Sequence, residues 1–83
     1  MTTYWTLFLT DLGDDPHSGL CHGQFTSPNQ LWADLKAKHW NAELFRLRRA
    51  RFARVTLTKS GFSVRTFQSL AAAVNSTIPR LPL

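Results

Sequence analysis

The stretch Leu44-Phe45-Arg46-Leu47-Arg48-Arg49-Ala50-Arg51-Phe52-Ala53-Arg54-Val55 limits the possible folds more than any other, because five arginines are threaded through apolar residues. On a helix, at about 100° per residue, the arginines and apolar side chains scatter round the axis and no apolar face forms. Read at period two, Phe45 and Leu47 share a face opposite Arg46 and Arg48. Ala53, Val55 and Leu57 then share a face opposite Phe52, Arg54 and Thr56. The pattern predicts two strands turning near Arg49-Ala50. It places arginine on an open sheet face, and so implies an anionic partner.

The flanking segments supply elements of matching size. Residues 3–12 alternate, with Trp5, Leu7 and Leu9 on one face and Tyr4, Thr6, Phe8 and Thr10 on the other, which predicts a first strand with aromatic rings on both sides. Residues 11–19 are rich in turn formers and read as a loop, and residues 20–26 as a short return strand. Ser27-Pro28-Asn29-Gln30 is a helix start: Ser as N-cap, Pro at the first helical position where no amide bond is lost, Gln three residues on to close a capping box. Leu31, Trp32, Leu35 and His39 fall on one side, so this helix is expected to run to about Trp40 and to stop at Asn41.

Thr58-Lys59-Ser60-Gly61 then turns the chain into a strand over residues 62–67. A loop of even length sets Val55 and Leu57 against Phe62, Val64 or Thr66, whereas an odd one would oppose them to Ser63 and Arg65. Burial favours the even loop. Leu70, Ala71, Val74 and Ile78 recur at helical spacing, which predicts a second helix over residues 68–77, ended by Pro79 and Pro82.

The expected fold class is therefore α+β, a single small domain over residues 1–83. An N-terminal strand and a three-stranded antiparallel meander form a small sheet, and two helices pack on one face of it. That face is expected to carry Trp5, Leu7, Leu9, Phe45, Leu47, Val55, Leu57 and Val64, with Leu35, Val55, Leu57, Val64 and Leu70 meeting in the core.

Composition narrows the function. With 83 residues the chain buries little more than about 60% of its unfolded surface, so its stability is marginal or shared with a partner. A hydrophobic fraction of 43%, with three Trp and six Phe, is too high for a disordered tail. Cys21 is the single cysteine, which excludes an internal disulfide and fits a cytoplasmic setting. No basic leader precedes the first apolar stretch and no apolar run approaches ~18 residues, so neither export nor membrane insertion is expected. Charge is polarised along the chain: residues 1–35 carry four Asp and no Lys or Arg, and residues 36–83 carry ten Lys or Arg against Glu43, giving −4 and +9 within the net +5. Such asymmetry points to nucleic acid or an acidic protein surface, against the plainer reading that the arginines only solubilise the chain.

The candidate nucleic-acid-binding residues are Arg46, Arg48, Arg49, Arg51, Phe52, Arg54, Arg65 and Lys59, with Thr56, Thr58, Tyr4 and Phe8 nearby. Guanidinium groups fork onto phosphate oxygens, and exposed rings on a sheet stack unpaired bases. The two-sided first strand also leaves room for a homodimer. His17, Cys21 and His22, with Asp14 and Asp15, carry ligand chemistry but lack the second pair of a zinc spacing, so no metal and no other cofactor is expected. Cys21 and His22 are adjacent, so on a strand they point to opposite faces and cannot act as nucleophile and base. No Gly-rich phosphate loop occurs, and the chain is not expected to be an enzyme.

From Ser27 onward the order helix, three strands, helix resembles the topology of double-stranded-RNA-binding domains. Residues 64–73 resemble the strand-to-helix corner of plant and phage three-strand DNA-binding domains. These resemblances imply nucleic-acid contact, although the last helix lacks the lysine cluster with which double-stranded-RNA binders meet phosphates. Two functions are therefore expected to compete. One is a small basic nucleic-acid-binding regulator using an arginine and aromatic sheet face. The other is a small phage-like, mobile-element protein that docks as inhibitor or adaptor on host nucleic-acid machinery through the same face.

Overall fold

The computed structural model describes residues 2–10 and 20–78, at 20–22 the backbone alone. Strand β1 (Thr2–Leu9) is followed by β2 (Leu20–Phe25), helix α1 (Pro28–Ala37), helix α2 (Ala42–Leu47), strands β3 (Ala50–Thr58) and β4 (Gly61–Phe67), and helix α3 (Leu70–Asn75). The four strands form one antiparallel sheet in the order β2-β1-β3-β4. The fold is α+β, as the sequence predicts. No described helix is long and apolar enough to cross a membrane.

Local chemistry explains most boundaries. The Ser27 hydroxyl accepts from the Gln30 backbone N–H at 3.2 Å and caps α1. Gln30 Oε1 reaches one residue further back than a capping box requires, accepting from the Thr26 hydroxyl at 2.6 Å. Helix α1 ends earlier than expected, with Lys38 as C-cap and His39 in the left-handed region at φ 68°, so His39 lies beyond the apolar stripe. The β3–β4 hairpin has the even loop: Thr58 opposes Gly61, Leu57 opposes Phe62 and Val55 opposes Val64. In β2 the register against β1 slips twice, and Gly23 takes φ +81°, where a Cβ would come within 2.5 Å of the Phe25 ring.

The segment expected to be the first arginine strand is instead a helix. Asn41, expected to stop the preceding helix, starts the next one: its Oδ1 accepts from the Leu44 backbone N–H at 2.7 Å, and Glu43 sits in the positive first turn. Phe45 is buried in this short α2, whereas Leu47 is 63% exposed. The helix buries one ring and needs no apolar stripe. From Ser27 onward the order is thus helix, helix, strand, strand, helix, which departs from the double-stranded-RNA-binding topology, and the meander is reduced to the hairpin of β3 and β4.

The register of β1 on β3 decides what is core. Leu7 opposes Phe52, Leu9 opposes Ala50 and Trp5 opposes Arg54, so these residues share one sheet face. Trp5, Leu7, Leu9, Ala50, Phe52 and Phe67 on that face join Leu31 and Leu35 of α1, Phe45 of α2 and Ala73 of α3 in one apolar cluster. Phe45 and Phe52 rings lie 4.9 Å apart, and Trp32 meets them at 5.8 and 6.1 Å in edge-on arrangements that suit aromatic quadrupoles. Val55, Leu57 and Val64, expected among these residues, lie on the opposite face with Tyr4, Thr6, Phe8 and Ala53. Val55 is buried there, but Leu57 is 40% exposed, so it does not meet Leu35 and Leu70.

Candidate nucleic-acid interface

The arginines of residues 44–55 do not share an open sheet face, because α2 and β3 divide them. Arg46 is in the last turn of α2 and exposed. Arg48 is its C-cap, with the guanidinium 5.8 Å from the Trp40 ring centroid. Arg49 follows in the left-handed region at φ 49°, and its carbonyl accepts from the Thr10 hydroxyl at 2.8 Å, which ties the start of β3 to the end of β1. Arg51 opposes Phe8 in the β1–β3 ladder, on the face away from Phe52. Phe52 is 1% exposed and cannot stack a base, which corrects its expected role. Lys59 is exposed at the hairpin tip.

Two of the expected arginines do come together. Arg54 and Arg65 are directly opposed in the β3–β4 ladder, on the face that also carries Trp5 and Phe67. The Arg54 guanidinium lies 6.0 Å from the Trp5 ring and 5.8 Å from the Phe67 ring, and Arg65 lies 5.1 Å from the same Phe67 ring. Trp5 and Phe67 themselves stack at 5.5 Å, tilted by 37°. Opposed like charges destabilise a ladder by something on the scale of about 0.2–1 kcal/mol. Each cation–π contact returns about 0.5–1 kcal/mol. The rings therefore offset the repulsion and hold two cations side by side at the edge of the core. Beyond them on the same face, by ladder alternation, come Thr3, Thr56 and Ser63, which add hydroxyl groups.

Among the described residues no arginine pairs with a carboxylate, and Lys38 and Asp34 form a salt bridge at 2.8 Å along α1. The rings that carry the arginine pair, Trp5 and Phe67, were not among the expected site residues. Their role depends on ladder register across three strands, which no local pattern reports.

Comparison with protein families, with curated proteins and with solved structures finds no match for this chain. Of the other expected groups, His17, Asp14 and Asp15 lie outside the described residues, as do the side chains of Cys21 and His22.

Proposed function

We propose that the protein binds nucleic acid through its phosphate backbone, with Arg54 and Arg65 as the grip. The observation that carries this reading is the opposed pair itself: two guanidiniums held together over Phe67 and Trp5, with no carboxylate partner among the described residues. Planar, forked donors of this kind match phosphate oxygens. A bridging anion would remove the repulsion that the fold otherwise bears. The net charge of +5 adds attraction at long range.

The reading is a backbone reading. The rings of the site, Trp5 and Phe67, are buried beneath the guanidiniums, so the sheet offers cations and hydroxyls in place of a stacking platform. Sequence preference should be weak, since phosphate contacts position a protein without reading bases.

Binding of a random duplex and a random single strand, measured against salt, tests it. Wild type should lose affinity steeply as salt rises, and Arg54→Gln with Arg65→Gln should flatten that dependence. If the double substitution leaves nucleic-acid binding unchanged but abolishes capture of an acidic protein, the arginine pair docks on protein and this reading fails.

A further inference from the structure

Strand β4 ends at Phe67, opposite Phe52, while β3 extends back to Ala50. The corner left between that length of β3, helix α2 and the start of α3 is a cleft of ≈ 520 Å³, within the range of small-ligand sites. Its apolar wall comes from Trp32, Phe45, Phe52 and Leu70. Arg46, Arg49 and Gln68 are among its polar lining residues, with Arg51 and Ser69, and among the described residues no Asp or Glu lines it.

Charge complementarity therefore selects an anion, and the wall selects what the anion is attached to. Arg46 and Arg49 are three residues apart at the end of α2, both exposed and neither in an ion pair among the described residues. The three terminal oxygens and near-double charge of a phosphate monoester match two guanidinium forks better than the two oxygens and single charge of a carboxylate. Trp32 is half-buried at the edge of the aromatic cluster and presents apolar, π-bearing surface to a flat ring. Gln68 carries both a donor and an acceptor, which suits the polar edge of a base and is wasted on an alkyl chain. Arg49 takes a backbone conformation that glycine adopts far more easily, yet a cation stands there.

We propose that this cleft binds a nucleoside 5′-monophosphate unit. The base lies against the half-buried Trp32 ring with its polar edge toward Gln68, and the phosphate sits between Arg46 and Arg49. The unit is either a free mononucleotide or an unpaired nucleotide of a bound strand, and only the second source rests on the nucleic-acid reading above.

Titration of the full chain with adenosine 5′-monophosphate, adenosine, inorganic phosphate and octanoate, followed by tryptophan fluorescence and indole N–H chemical shifts, tests the site. The monophosphate should bind saturably, at least tenfold tighter than adenosine or phosphate alone, and shift the Trp32 indole. Ala42→Trp, at an exposed lining position, should fill the cleft and abolish binding. Arg49→Gly should weaken binding about tenfold, the scale of one hydrogen bond to a charged group, while its melting curve shows the fold intact. If an eight-nucleotide single strand displaces the monophosphate and Ala42→Trp weakens strand binding, the strand is the source; if it does not displace it, the free nucleotide is the ligand. Equal binding of octanoate or of an acidic peptide, or indifference to both substitutions, would overturn the proposal. The nucleic-acid reading fails separately, by duplex binding that ignores Arg54→Gln with Arg65→Gln while the monophosphate still binds.

Discussion

Arg54 and Arg65 stand directly opposite each other across β3 and β4, and both guanidiniums lie within 6 Å of one ring, that of Phe67. The three cation–π contacts, at about 0.5–1 kcal/mol each, outweigh the single repulsion of about 0.2–1 kcal/mol, so the pair is held in place with a modest net gain. Arg54→Gln, which loses two of these contacts, is expected to destabilise by about 1 kcal/mol, and Arg65→Gln, which loses one, by no more than about 0.5 kcal/mol. If the pair neutralises two duplex phosphates, the double variant should reduce the slope of log affinity against log salt by about 1.8. Thermal melts and salt titrations measure both quantities on the same samples.

Phe52 and Leu57 should differ sharply although they are five residues apart on one strand. Phe52, 1% exposed and packed on Phe45 and Trp32, should cost about 3–5 kcal/mol when changed to Ala, enough to unfold much of a domain this small. Leu57→Ala, at a position 40% exposed, should cost under about 1 kcal/mol. Denaturant melts of the two variants would refute the face assignment if their order were reversed.

Asn41 decides whether residues 42–47 are helical. Removing the cap with Asn41→Ala should destabilise by about 1 kcal/mol, while Asn41→Asp should retain most of the stability because its carboxylate accepts the same bond from the Leu44 N–H. Equal melting temperatures for wild type and Asn41→Ala would show that α2 does not depend on this bond.

Arg49→Gly should stabilise the fold. At φ 49° a residue with a Cβ is disfavoured by about 1–2 kcal/mol, and glycine's larger unfolded-state entropy takes back part of the gain. A net gain of about 0.5 kcal/mol corresponds to a rise of about 2–4 °C for a chain of this length. A fall in melting temperature would mean that the Arg49 side chain holds the α2–β3 corner through contacts that outweigh its backbone strain.

The elements legible in the sequence are those whose cause is local. Ser27-Pro28 starts a helix because a hydroxyl and a fixed φ act within one turn. Thr58-Lys59-Ser60-Gly61 makes a hairpin whose even loop follows from keeping Val55 and Leu57 beside Val64 and Phe62. The first strand and its return strand were readable for the same reason, as was the α+β class. Residues 44–49 were not, because α2 is a six-residue helix that buries one ring, too short for helical periodicity to outweigh a chance alternation of apolar residues and arginine. The signal that did exist was Asn41, which the same residue chemistry allows as either the end of one helix or the start of the next.

Alternation along β3 says which residues share a face, and it correctly grouped Phe52, Arg54 and Thr56 against Ala53, Val55 and Leu57. It does not say which group faces the helices, since both faces of β1 and of β3 carry apolar residues. That choice came from the β1–β3 register, which sets Phe52 beside Leu7, and from the aromatic contacts of α1 and α2, which close over that pair. Once Phe52 turns inward, Arg54 must follow it onto the same face, one step beyond the helices, and Arg65 is brought to it by β4. Residue order alone thus determined the helix start at Ser27 and the β3–β4 hairpin with its turn, through interactions a few residues long. The inward face, and with it the arginine pair over Phe67, was decided by packing between residues as distant in the chain as Trp5 and Arg65.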